Sequence, residues 1–325
     1  MFSKNVATEY ELTRSKAVQQ LYEKIDQVAQ YDSSVIVLGE SGVGKEVVVK
    51  RIHEKSPRSR GPFVRINCGA IPEDLMESEM FGYAKGAYSG AKQQSKLGLI
   101  SLANQGTLFL DEIAELTLPI QAKLLRVLQE RHFYPINAVK PVSVDIRVVS
   151  ATSRNLRQLI EDGKFRQELF YRLNVVPIQV PSLRDRKEDI PDLIAFFMQH
   201  LDTRYAKRKT ISQNVIDIFL QYNWPGNIRE LKNVVERLVV TTPDDLIDTH
   251  HIPLEIWESI EENKRRMMPE YNTLRELLAQ YEYQIIKDSV RRNKTLLQSS
   301  AELGVDVSTL SRKCKKYNIR LDGVN

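Results

Sequence analysis

An apolar run, SVIVLG at 34–39, leads without a break into Gly39-Glu40-Ser41-Gly42-Val43-Gly44-Lys45, and a helical stretch follows. This strand, G-x-x-x-x-G-K turn and helix constrain the fold more than any other feature, because the turn works only at the end of a strand and the start of a helix. The glycines let the backbone curl so that successive N–H groups point inward at phosphate oxygens. The N-terminus of the following helix adds positive potential. Lys45 supplies a charge to the β- and γ-phosphates, so the ligand expected is ATP. The next residue is Glu46, where the general motif has Ser or Thr, so the usual hydroxyl on Mg²⁺ is missing.

Four further β-rich runs recur: FVRIN (63–67), TLFLD (107–111), IRVVSAT (146–152) and VVPIQV (175–180). Several are almost continuously apolar, as strands buried on both faces of a parallel sheet are. Helix-like segments lie between them. One covers 118–131, where Gln121, Leu124, Leu125 and Leu128 follow i, i+3, i+4, i+7 spacing. Alternating strands and helices predict an α/β domain with a mostly parallel sheet over 1–180. Beyond Pro181 the strand signals stop. Segments 190–205, 212–222 and 227–241 read as helices, giving a helical subdomain over 181–252. The charged stretch ESIEENKRRMMPEYN (258–272), with Pro269, reads as part of a linker over 253–272, and 273–325 is helical again.

The run TLFLDE ends in two carboxylates. Taken alone, such a string is often a strand entering a loop. Downstream of a phosphate loop it reads as the second half of a nucleotide site, with Asp111 holding Mg²⁺ and Glu112 polarising the attacking water as general base.

GESGVGKE (39–46), GTLFLDE (106–112) and FGYAKGAYSGA (81–91) together resemble the AAA+ ATPase domain of bacterial enhancer-binding proteins, the activators of the sigma-54 form of RNA polymerase. The resemblance runs from about residue 12 to residue 252 and resumes in the tail. It implies an AAA+ sheet domain with a helical lid. It also implies that Gly86, Ala87, Tyr88, Ser89, Gly90 and Ala91 form the loop that touches the sigma factor. The family pattern there is GAFTGA, so Tyr88 replaces Phe and Ser89 replaces Thr. Glu46 after the lysine is usual in this family. By the same resemblance Asn67 holds Glu112 in check, Arg166 and Arg172 reach the γ-phosphate of a neighbouring subunit, and Arg229 senses nucleotide in cis. Ser101 and Gln105 replace a Glu and a Gly common in the family, and Ser153 stands where many relatives have Asn or His. A receiver or PAS domain is not expected ahead of the ATPase.

Charge is unevenly placed. Residues 287–325 carry nine Lys/Arg against four acids, a surplus equal to the whole chain's net charge of +5. A basic end suggests a polyanion partner, though charge alone also fits a solvated tail. Within it, 298–303 reads as a short helix, Gly304 as a turn and Asp306 as the N-cap of a helix over 307–317. Ala301, Leu303, Val305, Leu310 and Cys314 are expected to pack inward. Ser308, Ser311, Arg312 and Lys315 then face outward, with Thr309 beside them. This is a helix-turn-helix reading, its second helix in the major groove of double-stranded DNA. It resembles the Fis-type module of the same family, with Cys314 in place of the more usual Leu. Arg312 is suited to a guanine edge, and Lys313, Lys315 and Lys316 to phosphates.

No apolar run approaches the ~18 residues of a membrane helix, and the opening residues are too polar for a signal peptide. Cys68 and Cys314 are the only cysteines. That excludes a disulfide framework and fits a reducing cytoplasm. The resemblance implies a homo-oligomeric ring, a hexamer, that hydrolyses ATP and remodels sigma-54 RNA polymerase. The rival reading is a DNA-binding regulator whose nucleotide site only switches conformation.

Overall fold

The computed structural model describes residues 13–85, 95–206, 208–267, 274–293, 295–317 and 319. In chain order the first half runs α1 (Lys16–Ala29), β1 (Val35–Leu38), α2 (Lys45–Glu54), β2 (Phe63–Asn67), α3 (Glu73–Phe81), β3 (Gly82–Tyr83), β4 (Lys96–Leu97), α4 (Leu99–Leu102), β5 (Thr107–Asp111) and α5 (Leu118–Glu130). Then come β6 (His132–Phe133), β7 (Val142–Ser143), β8 (Arg147–Thr152), α6 (Leu156–Glu161), α7 (Gln167–Leu173) and β9 (Val176–Gln179).

Five strands form one parallel sheet in the order β2-β5-β8-β1-β9, and they are the five apolar runs of the sequence. The central β5 shows why. Leu108 and Leu110 point into a core built with α3, α4, α5 and α7, while Phe109 points into a second core with α1 and α2. The period-two alternation therefore feeds two apolar layers rather than one. Burial of each such side chain is worth about 1.5–3 kcal/mol. The register sets Asn67 opposite Asp111 and Leu38 opposite Thr152, which brings the C-terminal strand ends to one edge. Buried Arg147 donates to the carbonyls of Ala29 (2.7 Å) and Val28 (3.0 Å), completing the last turn of α1.

The lid contains α8 (Ile190–Tyr205), β10 (Thr210–Ile211), α9 (Gln213–Gln221), α10 (Asn227–Thr241), β11 (Leu246–Ile247) and α11 (Leu254–Met267). Its core gathers Phe197, Phe219, Trp224, Leu231 and Val235. Two corrections to the sequence reading arise here. Strands do not stop at Pro181, because the two-residue β10 and β11 pair in parallel. The stretch read as linker is helical as far as Met267, and Ile256 and Ile260, one turn apart, pack into the lid core. Glu258, Glu261 and Glu262 are exposed, on the solvated side of an amphipathic helix. Pro269 lies outside the described residues.

The chain divides into two compact units, the first ending at Ile260. Within the second, α12 (Leu274–Arg292), α13 (Leu296–Leu303) and α14 (Val307–Lys316) pack around Ile286, Val290, Leu310 and Cys314. Gly304 ends α13 in a left-handed conformation, φ +62°. Leu310 and Cys314 point inward as expected, and Leu303 is half-buried against them, but Ala301 and Val305 are exposed. The inward stripe of α13 is Leu296, Ser299, Ser300 and Leu303, so two serines occupy positions that an apolar pattern cannot reveal. Both are satisfied by carbonyls: Ser299 donates to Ser289 and Ser300 to Leu297 (2.9 Å). Asp306 sits at the N-cap of α14, yet its side chain accepts no capping bond.

Candidate nucleotide site

The loop after β1 turns at Gly42 (φ +78°) and Gly44 (φ +97°), both left-handed. At Gly42 a side chain is also excluded by packing, since a Cβ would lie 2.3 Å from the carbonyl oxygen of Gly226 in the lid. Lys45 begins α2 and is 7% exposed. Its ammonium donates to the carbonyls of Gly39 (3.0 Å) and Glu40 (3.1 Å) and lies 3.8 Å from Glu112 Oε1. Burial pushes its pKa down, opposed by the charges of Glu112 and Asp111.

Asp111 ends β5, and Glu112 follows at φ +51°, a strained value for a residue other than glycine. Glu112 Oε2 faces the N–H and hydroxyl of Ser153, each at 3.4 Å. Asp111 Oδ2 accepts from Arg65 at 2.7 Å, and the other arm of that guanidinium meets Glu46 Oε2 at 2.5 Å. The strand-end donors are hard oxygens, the set Mg²⁺ prefers, so Asp111 and Glu112 suit that ion. Cys68 is no competitor. Burial, with Asp111 nearby, pushes its thiol up to about 12, and it stays protonated.

Asn67 stands at the end of β2. Its Oδ1 accepts from the N–H of Gly69 at 3.0 Å. Among the described residues no hydrogen bond joins it to Glu112, whose carboxylate is met by Lys45 and Ser153. The Asn67 carbonyl oxygen closes a local turn, as Asn commonly does after a strand, and its amide nitrogen is not used in that bond.

The lid reaches the loop through several groups. Arg229 donates to Ser41 Oγ at 2.8 Å, and the carbonyl of Gly42 accepts from the N–H of Ile228 at 3.0 Å. Arg184 grips Glu40 with both arms, at 2.5 and 2.9 Å. Fully buried Asn227 donates to Glu40 (3.1 Å) and to the Ser41 carbonyl (3.0 Å), and accepts from the N–H of Leu183 (2.8 Å). Arg186 donates to the carbonyl of Val43 at 2.7 Å. Beside Gly44 these elements enclose a narrow cavity lined by Tyr22, Val43, Val48, Val180, Leu193 and Ile228, with Arg186 and Asp189 also in its wall. Arg65, Arg184, Arg186 and Asn227 escape sequence reading because nothing in their local pattern distinguishes them from surface polar residues. Only the tight turn NWPGN before α10 hints at Asn227.

The two expected arginines lie elsewhere. Arg166 is the N-cap of α7 and Arg172 lies in its last turn; both are exposed, and they donate to the carbonyls of Leu118 (3.2 Å) and Leu128 (2.9 Å). The structure does not bring them to Lys45 of the same chain. The segment from Gly86 to Ala91 lies outside the described residues. Its flanks are paired, Gly82 with Leu97 and Tyr83 with Lys96, and Ile136 bonds the backbone of Gly82 and Ala84 at 2.9 Å each. In the second unit Ser308, Arg312 and Lys315 are exposed on α14, and Thr309 and Ser311 are half-buried.

This geometry agrees with comparison to known proteins. The Sigma-54 interaction domain family matches residues 12–179, and the AAA+ ATPase lid domain family matches 184–268. The chain is 42% identical over 289 residues to an uncharacterized protein in the HyuA 5′ region of Pseudomonas sp. (strain NS671), covering 89% of this chain and 98% of that one. It is 45% identical over 314 residues to the putative uric acid sigma-54-dependent transcriptional regulator UacR of Escherichia coli (strain K12), covering 94% of this chain but only 53% of the relative. Thus it spans about half the length of some relatives it matches. Among solved structures, NtrX from Brucella abortus in complex with ATP shares 34% identity at a TM-score of 0.71, over 94% of this chain and 69% of that one. A phosphate loop, a strand-end acid pair and a lid that closes on the loop thus coincide with both family matches, and the chain belongs to the sigma-54-dependent transcriptional activators that carry an AAA+ ATPase domain.

Proposed function

We propose that this chain is an ATP-hydrolysing transcriptional activator that binds upstream DNA and remodels sigma-54 RNA polymerase to open promoters. The observation that carries the reading is the 3.8 Å approach of Glu112 to the Lys45 ammonium at the mouth of the phosphate loop. A cation for the phosphates and a base for water meet there, within a family match centred on sigma-54 interaction.

In this proposal the loop from Gly39 to Glu46 cradles the triphosphate, with backbone N–H groups and Lys45 on its oxygens. The narrow cavity beside Gly44 takes the adenine, against Val43, Val180 and Ile228. Asp111 holds Mg²⁺, which when bound neutralises charge on the phosphate oxygens. Glu112 accepts the proton of the attacking water. Arg229 leaves Ser41 for the nucleotide when the lid senses it. Arg166 and Arg172 serve a neighbouring subunit in a six-membered ring, which fits their exposure. An arginine there stabilises transition-state charge.

The loop of Gly86, Ala87, Tyr88, Ser89, Gly90 and Ala91 delivers the movement to the sigma factor. Its paired base, β3 with β4 and Ile136 across from Gly82, is a firm mount for a moving tip. The second unit, over 273–325, is a helix-turn-helix module. Its α14 presents Ser308, Thr309, Ser311, Arg312 and Lys315 to the major groove. Subdomains over 1–180 and 181–252 form the motor, the latter lengthened by α11.

The test is ATP-dependent open-complex formation at a sigma-54 promoter with purified polymerase, comparing wild type with Ser89→Ala. The expected outcome is promoter opening that needs ATP and falls in the variant while its ATPase rate persists. ATP turnover without opening at any such promoter would remove the proposed client, and no turnover in the assembled ring would remove the motor.

A further inference from the structure

The position after the phosphate-loop lysine normally offers a hydroxyl which, with the strand-end acid, takes Mg²⁺. Here that position is Glu46, and it faces the same guanidinium as Asp111. Arg65 spans the two, 2.5 Å from Glu46 and 2.7 Å from Asp111. Two carboxylates converging on one point either repel each other or collect a cation. The chain answers with a cation of its own. Arg65 comes from β2, directly opposite Phe109 in the register, and its guanidinium carbon lies 5.8 Å from the centre of the Phe109 ring. The aromatic surface steadies the fork, so one arm reaches each acid.

We infer that Arg65 is a positioning residue for the metal: it occupies the gap between Glu46 and Asp111 and keeps the nucleotide-free site from collecting a divalent cation. The cation then enters only with the triphosphate, which contributes the remaining oxygen ligands and overcomes the competition. Glu46 belongs to this device as the second acid, and Arg65 suits it better than Lys because a planar fork bridges two carboxylates where a point charge holds one. The inference rests on the proposed role of Asp111 as the metal carboxylate.

The probe is Mn²⁺, followed by electron paramagnetic resonance in the full chain without nucleotide. Wild type is expected to bind it weakly. Arg65→Gln should bind on the order of tenfold more tightly, the scale set by removing one charge a few ångströms away. Arg65→Lys should tighten binding less, and serves alone if the Gln variant does not fold. Adding Glu46→Gln to Arg65→Gln should return binding to the wild-type level. No tightening in either Arg65 variant, or tightening that survives Glu46→Gln, overturns the inference. A separate arm adds ATP. Loss of nucleotide-dependent Mn²⁺ uptake in Asp111→Asn supports the underlying metal role. Uptake that persists in that variant defeats the reading of Asp111 itself, whatever Arg65 does.

Discussion

Glu112 Oε1 lies 3.8 Å from the Lys45 ammonium, while Oε2 of the same carboxylate faces Ser153 at 3.4 Å. The carboxylate is thus spread between the phosphate loop and the end of β8. Its backbone, at φ +51°, turns the side chain out of the strand line toward the loop. A strained residue at the junction of three elements is where a catalytic group is commonly found.

If Glu112 is the base, Glu112→Gln keeps the shape and loses the proton acceptor. ATP turnover should fall by about 10²- to 10⁴-fold, the usual contribution of general base catalysis, while nucleotide and DNA still bind. Steady-state ATPase and equilibrium nucleotide binding on the same preparation check this. A rate within a few-fold of wild type would assign the base elsewhere.

Asn227 joins lid and loop from a left-handed backbone, φ +54°. Asn227→Ala leaves the N–H of Leu183 without its acceptor and places an ordinary side chain at positive φ. The combined cost is about 2–4 kcal/mol. Asn227→Gly loses the same bonds but not the backbone freedom, so it should be the milder change by about 1 kcal/mol. Chemical unfolding of both variants separates the two effects, and equal losses would mean that backbone strain contributes nothing.

His53 gives a pH signature. Its Nδ1 lies 2.9 Å from Thr107 Oγ1 in the core, and burial, then the nearby Arg147 charge, push its pKa below the ordinary 6.5. The folded chain holds it neutral, while the unfolded chain protonates first as pH falls. Its contribution is fully present above 6.5 and is lost as pH drops from there through the lower folded value. The melting temperature should therefore decline from pH 7 toward pH 5 in wild type, and less steeply in His53→Gln. Glu40 and Asp32, held below the ordinary carboxylate range chiefly by their bonds to Arg184 and Arg58, act in more acidic solution. Identical slopes in the two proteins would refute the assignment to His53.

What the sequence made legible follows from what kind of force places each residue. The strands β1, β5 and β8 are evident because burial on both faces writes a continuous apolar run, and Lys45, Asp111 and Glu112 because a phosphate needs a fixed local spacing. Arg65, Arg184 and Asn227 are invisible for the opposite reason. Each is defined by a partner far along the chain, Arg184 by Glu40 and Asn227 by Leu183, and a long-range polar bond leaves no periodic trace. Asn67 is legible only through the family resemblance, since its Oδ1 takes part in a local turn to Gly69 and nothing in the spacing ties its amide to Glu112. In α13 the pattern misled outright, because Ser299 and Ser300 fill core positions by bonding carbonyls, which hydrophobicity cannot report.

The exposed face of α14 makes a prediction about DNA that separates its residues. Arg312 carries a fork that fits a guanine edge, whereas Lys315 is a point charge suited to phosphate. Both are exposed on one helix whose inner side is fixed by Leu310 and Cys314. Arg312→Ala should cost about 1–3 kcal/mol on a cognate site and much less on unrelated sequence. Lys315→Ala should weaken both equally and lower the salt dependence of binding by about one unit of slope. Titrations of specific and nonspecific duplexes across a range of salt concentrations distinguish the two. If Arg312→Ala weakens every sequence alike, its guanidinium meets the backbone, and base reading falls to Ser308, Thr309 or Ser311. If neither change alters affinity, α14 is not the helix that enters the groove.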